Sequence, residues 1–177
     1  MKIDDYNDFY HVDISTQINN KWKEDTVLGI VRDSKKYAIK MRGRDKEKIK
    51  ERFIVNGNLG NEKIHNLKVI AIVYSYLLYK ALCEFKEAKP LLLCRDVRPE
   101  RFVMNYFQKI AAFFKNYEIS DRKIRFRKKI EFETKEKLPK SLAGKYTRKV
   151  YQGKFPANKI LNNSEIEELI EIIGKIL

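Results

Sequence analysis

Residues Pro90–Pro99, PLLLCRDVRP, decide how the chain is read. The run Pro90–Cys94 is apolar without polar alternation, as suits a short strand buried on both faces of a parallel sheet. Pro99 fits the first turn of a helix. That helix runs to about Lys115, with Phe102, Val103, Phe107, Ile110, Ala111 and Phe114 as its core face. Asp96 therefore falls between a strand end and a helix start, where open α/β sheets present side chains to ligands.

Upstream, Tyr10–Thr16 (YHVDIST) alternates as a first strand and carries Asp13 inside it. Asn19–Asp25 is a polar loop. Thr26–Arg32 and Lys36–Arg42 read as a hairpin joined at Asp33–Ser34, with Val27, Ile30, Val31, Ala38, Ile39 and Met41 as its apolar members. Gly43–Glu51 is charged and reads as a short helix or a solvated loop. Asn56, Gly57, Asn58 and Gly60 form a turn cluster. Asn61 then suits the cap of a long helix, Glu62–Lys86, whose apolar content is nearly continuous over Val69–Leu82.

Downstream, Ile124–Phe132 alternates strictly. Ile124, Phe126, Ile130 and Phe132 face one side, and Arg125, Arg127, Lys129 and Glu131 the other. A helix follows around Pro139–Tyr151. Gly153, Pro156 and Asn162–Asn163 punctuate the connection to a last helix, for which Ser164 and Glu167 offer a capping box. Ile166, Leu169, Ile170, Ile173 and Leu177 give that helix one apolar face. No linker divides the chain, so residues 1–177 read as one domain.

The resulting order is strand, strand, strand, helix, strand, helix, strand, helix. It is the order of the ribonuclease H-like fold, an α/β domain with a mixed sheet flanked by helices, in which acids from the first and fourth strands converge on divalent metal. Asp13 and Asp96 occupy those two places. A charge inside a strand is costly unless it is paired or ligating. Two-metal phosphodiester hydrolysis needs three or four carboxylates around ions ~4 Å apart, and oxygen ligands suit Mg²⁺ or Mn²⁺. The candidates for the third acid are Glu62, at the start of the long helix, and Glu131, which shares a charged face with its neighbours. Glu133 lies beside Glu131, and Asp4 and Asp5 serve if the first strand begins earlier. His11, two residues from Asp13, reads as a packed histidine or a proton shuttle.

The chain carries 38 Lys and Arg against 24 Asp and Glu, a formal net charge of +14. Such a balance favours a polyanion through counterion release, and the expected partner is nucleic acid: RNA, RNA–DNA hybrid or DNA. Twelve Lys and Arg against three Glu lie in Arg122–Val150. Arg125, Arg127 and Lys129 project from one strand face, and Lys140, Lys145, Arg148 and Lys149 come from the following helix. Together they suit a groove for the phosphate backbone, with Lys145 or Arg148 on a scissile phosphate. Tyr146, Tyr151 and Phe155 among these charges suit base stacking or core packing equally.

Cys83 and Cys94 both fall in apolar runs without CxxC spacing, so buried reduced thiols in a cytoplasmic protein are expected. No zinc ligand set and no P-loop or dinucleotide glycine motif occurs. Val69–Leu82 is too short and too polar for a bilayer span.

Two stretches resemble the second half of ribonuclease HII: Lys89–Phe102 (KPLLLCRDVRPERF) and Ser141–Arg148 (SLAGKYTR). In that family an apolar strand ends in a metal-binding Asp, which Asp96 matches. A later acid precedes a helix bearing a Ser-x-x-Ala-Lys-x-x-Arg pattern, matched by Ser141, Gly144, Lys145 and Arg148 with Gly in place of Ala. The family's later acid lies about ten residues before that serine, on or near Glu131. The resemblance implies Mg²⁺- or Mn²⁺-dependent cleavage of the RNA strand of hybrids. The family's first strand carries Asp-Glu and a Gly-Arg-Gly loop, whereas this chain has Asp13-Ile14-Ser15-Thr16.

Overall fold

The three leucines of the PLLLC run form the strand on which the sheet is organised. The computed structural model describes residues 9–15, 18, 21–55, 62–84, 90–94, 99–121, 123–126 and 142–177. The strands are β1 (Tyr10–Ser15), β2 (Thr26–Arg32), β3 (Lys35–Met41), β4 (Leu91–Leu93), β5 (Ile124–Phe126) and β6 (Lys159–Ile160). The helices are α1 (Gly43–Lys50), which continues into a π-helical turn (Glu51–Val55), α2 (Glu62–Glu84), α3 (Glu100–Phe113), α4 (Tyr117–Ser120), α5 (Leu142–Tyr151) and α6 (Asn163–Ile176). The strands make one mixed sheet in the order β5-β4-β1-β2-β3-β6. β1 pairs parallel with β4 and β4 with β5, β6 pairs parallel with β3, and β2 runs antiparallel to both of its neighbours.

The hairpin forms where the sequence places it. Arg32 pairs with Lys35 across a two-residue turn. Asp33 takes φ +50°, the left-handed geometry that short hairpins need and that Asp tolerates.

Alternation then sorts side chains onto two faces. Tyr10, Val12, Ile14, Leu28, Ile30, Ile39, Met41, Leu91 and Leu93 join the main core with α2, α3 and α6. Val27 and Ala38 point the other way and pack with Val150 of α5. Residues Lys63–Glu84 are long and apolar enough to cross a membrane by length and composition. Val69 and Ala71–Tyr79 are buried in this core, which accounts for the apolarity. In α3 the expected core face is observed at Val103, Phe107, Ile110 and Ala111, with Tyr106 added; Phe102 and Phe114 pack at its margin.

Two local expectations are corrected. The capping box of α6 uses Asn162 and Glu165 rather than Ser164 and Glu167. Asn162 Oδ1 accepts from Glu165 N at 2.9 Å and Glu165 Oε2 from Asn162 N at 3.1 Å. Cys83 is exposed near the end of α2, whereas Cys94 is buried; both are free thiols.

Polar contacts hold the outer elements. Tyr76 Oη donates to the Glu165 carbonyl at 2.9 Å, and Lys80 and Lys159 each sit 2.8 Å from a carboxylate of α6, Glu168 and Glu165 respectively. Burial pushes the Glu165 carboxyl up, but the Lys159 hydrogen bond, the Asn162 N–H and the charges of Lys159 and Lys80 outweigh it and leave it below its ordinary value. The segment before β2 is clamped to α1. Asp25 Oδ1 accepts from Gly43 N at 2.9 Å, and Lys40 Nζ lies 2.6 Å from Asp25 Oδ2. Lys46 is fully buried beneath this segment and donates to the Lys21 carbonyl and to Thr26 Oγ1, each at 2.8 Å.

Candidate nucleic-acid and metal site

Register places Asp13 on the α5 face of the sheet. It pairs with Gly29 on β2, its neighbour Ser15 pairs with Val27, and Val27 packs against α5. Paired residues point to one side of a sheet. His11 shares that side, is buried, and heads a row that runs through Leu92 of β4 to Arg125 of β5. Arg125 is exposed, with its guanidinium carbon 5.5 Å from the centre of the Phe9 ring.

The backbone hydrogen bonds of β1 show which way the Asp13 carboxylate leans. Tyr10 N donates to Pro90 O at 3.0 Å, and Val12 O accepts from Cys94 N at 2.9 Å. Even-numbered residues of β1 thus turn their peptide groups toward β4, and odd-numbered ones toward β2. The next even residue is Ile14, whose N–H lies past the last described pairing with β4. It donates to Asp13 Oδ1 at 2.8 Å. The carboxylate is therefore drawn to the β4 side of β1, the side on which Cys94 follows β4.

Helix α5 lies across β1 and β2 on this face. Ala143, Thr147 and Val150 are its buried stripe. Thr147 Oγ1 donates back to the Ala143 and Gly144 carbonyls at 3.0 and 3.1 Å. Its Cγ2 would stand 2.3 Å from a Cβ on Gly29, so the helix needs a glycine beneath it. Gly153, at φ +72°, ends the helix. Its N–H goes to Val150 O at 3.0 Å and that of Lys154 to Lys149 O at 2.9 Å, a Schellman closure.

The sequence candidates separate as follows. Asp13 and Arg125 share the α5 face. Lys145, Arg148 and Lys149 are exposed. Lys145 lies opposite the buried stripe and points away from the sheet; Arg148 and Lys149 flank it. Lys149 Nζ sits 5.4 Å from the centre of the exposed Phe155 ring. Tyr146 and Tyr151 are half-buried against Val27, Ala38 and Val150, so their packing role is realised. Glu62 opens α2, which packs on the opposite face from Asp13, and its side chain lies outside the described residues. Asp96, Glu131, Arg127, Lys129, Lys140 and Ser141 lie outside them too, as do Asp4, Asp5 and Glu133.

Carboxylate oxygens of the Asp13 kind suit Mg²⁺ or Mn²⁺. Among the described residues no three His, Cys, Asp or Glu side chains gather; Asp13 is the one carboxylate they contribute at this place. Sequence reasoning passed over Gly29, although a glycine inside an apolar strand is a signal of close approach. No family model, no curated protein and no solved structure matches this chain.

Proposed function

We propose that the chain is a metal-dependent nuclease on a ribonuclease H-like scaffold, cutting phosphodiester bonds in RNA, RNA–DNA hybrid or DNA. The observation that carries the reading is the parallel adjacency of β1 and β4, with Asp13 inclined toward the exit of β4. Asp13 and Asp96 then hold Mg²⁺ or Mn²⁺. Glu131 completes the set in preference to Glu62, because the helix that Glu62 opens packs on the face opposite Asp13. When bound, the ions supply an activated water and neutralise charge on the phosphate. Arg125, Arg127, Lys129, Lys140, Ser141, Arg148 and Lys149 track the phosphate backbone. Lys145, pointing outward, serves the same track.

The test is cleavage of labelled RNA, hybrid and single-stranded DNA with Mg²⁺ or Mn²⁺, by the unmodified chain and by Asp96→Asn. Cleavage lost in Asp96→Asn with binding retained supports the nuclease. No cleavage of any substrate by the unmodified chain overturns it.

A second reading is a nucleic-acid-binding domain without cleavage. It is favoured by Ile14, a core residue that follows Asp13 where ribonuclease HII has a second acid. It predicts steeply salt-dependent binding and no divalent-dependent cleavage.

A further inference from the structure

A second concavity lies apart from the Asp13 face. Trp22, from the segment clamped to α1, forms one wall. Lys50 at the end of α1 and Ile54 in the π-helical turn form another, and Lys63, Asn66, Leu67 and Ile70 of α2 close it. Its volume is about 300 Å³, the low end of the range for small-molecule sites. The walls are fixed by contacts already in place. Lys46 and Asp25 pin the Trp22 segment, and His65 Nε2 lies 2.6 Å from Phe53 O, tying the π turn to α2. π-Helical turns are frequent at functional sites.

The chemistry of the lining is specific. One indole and three aliphatic side chains give an apolar interior with a flat aromatic surface. Lys50 and Lys63 are its charged members, and no acid is among the described lining residues. Among the described residues neither Lys50 nor Lys63 is paired with a carboxylate. An aromatic ligand carrying negative charge satisfies both halves: the ring lies on Trp22 and the anion meets the two lysines.

We infer that this pocket takes one nucleotide, with the base on Trp22 and the phosphate between Lys50 and Lys63. The choice of a nucleotide over other aromatic anions rests on the nucleic-acid reading above. The ligand is either a free mononucleotide or a residue of a single strand.

Trp22 is the only tryptophan in the chain, so its emission reports on the pocket alone. The experiment titrates the full chain with a mononucleotide, the matching nucleoside, inorganic phosphate and decanoate, correcting for absorbance. It repeats the series on Lys50→Gln/Lys63→Gln, whose folding is verified by circular dichroism. A saturable change with the mononucleotide is expected. Affinity should fall about tenfold or more for the nucleoside and for the double variant, as loss of charge-assisted hydrogen bonds implies. An oligonucleotide that displaces the mononucleotide identifies a strand as the source; one that does not identifies the free nucleotide. The inference is overturned if the mononucleotide leaves Trp22 unchanged, if the nucleoside binds as tightly, or if decanoate binds more tightly. Oligonucleotide anisotropy on the same samples separates the two readings, because salt-dependent binding persisting without a Trp22 response sinks the pocket and spares the proposed function.

Discussion

The N–H of Ile14 donates to Oδ1 of Asp13 at 2.8 Å, so the aspartate satisfies a peptide group that β4 does not reach. This bond separates a structural role for Asp13 from a chemical one. Asp13→Asn keeps an oxygen acceptor and should cost less than about 1 kcal/mol. Asp13→Ala leaves a mostly buried N–H without that partner and should cost about 1–3 kcal/mol. Both should abolish divalent-dependent cleavage while oligonucleotide binding persists. Urea unfolding and a cleavage assay on the two variants check this. Retained cleavage in Asp13→Asn removes Asp13 from the ligand set.

The fit of α5 onto the sheet gives a second prediction. A Cβ at position 29 would stand 2.3 Å from Thr147 Cγ2, so Gly29→Ala should destabilise by about 2 kcal/mol through overpacking. Thr147→Ser removes that methyl and keeps the hydroxyl that donates to Ala143 O. Gly29→Ala/Thr147→Ser should therefore recover much of the loss, a coupling readable in a double-mutant cycle. Additive losses would mean that α5 does not ride on Gly29.

Much of this architecture is legible in the sequence, for reasons visible in particular residues. The β2–β3 hairpin announces itself because Asp33 and Ser34 supply a turn between two largely apolar runs. PLLLC reads as a buried strand because it lacks polar alternation. What is not legible depends on partners distant in sequence. The face on which Asp13 lies is set by Gly29 and Val27. β6 is two residues long, too short to alternate. Asn162-Asn163-Ser164 followed by three glutamates offers two capping registers, and the one observed is set where Lys159 and Tyr76 meet Glu165. Cys83 lies in an apolar stretch of sequence, yet it is exposed one residue after Ala81 and Leu82, the last buried residues of α2. Lys46 sits in GRDKEKIK, which reads as a solvated run; only the clamp over α1 buries it.

The outward cations of α5 give a third prediction. Each lysine or arginine that neutralises a phosphate contributes about one unit to the slope of log K against log salt. Arg148→Ala and Lys149→Ala should each reduce that slope by about 1 and weaken binding alike across sequences. Fluorescence anisotropy over a salt series measures it. An unchanged slope in both variants would remove α5 from the backbone track.

Lys46 gives the fourth prediction. Burial pulls its ammonium down to about 8, against the opposing charges of Asp25 and Glu24. In the unfolded chain it titrates near its ordinary value of 10.5. Between these limits the unfolded state holds a proton that the folded state has released, so stability rises with pH across that window. The cost of a buried charge is present below pH about 8 and is relieved above it. Tyr37 and Tyr79, which burial pushes up, oppose this trend at the alkaline end. The quantity to measure is therefore the difference in unfolding free energy between the unmodified chain and Lys46→Met, in which those groups cancel. That difference should be flat below neutrality and shift by about 2 kcal/mol toward the unmodified chain between about pH 8 and about pH 10. A flat difference throughout would show that Lys46 keeps its proton under the clamp. The hydrogen bonds to Lys21 O and Thr26 Oγ1 would then be charge-assisted at every pH, and Trp22 would be held in place by an ammonium group rather than a neutral amine.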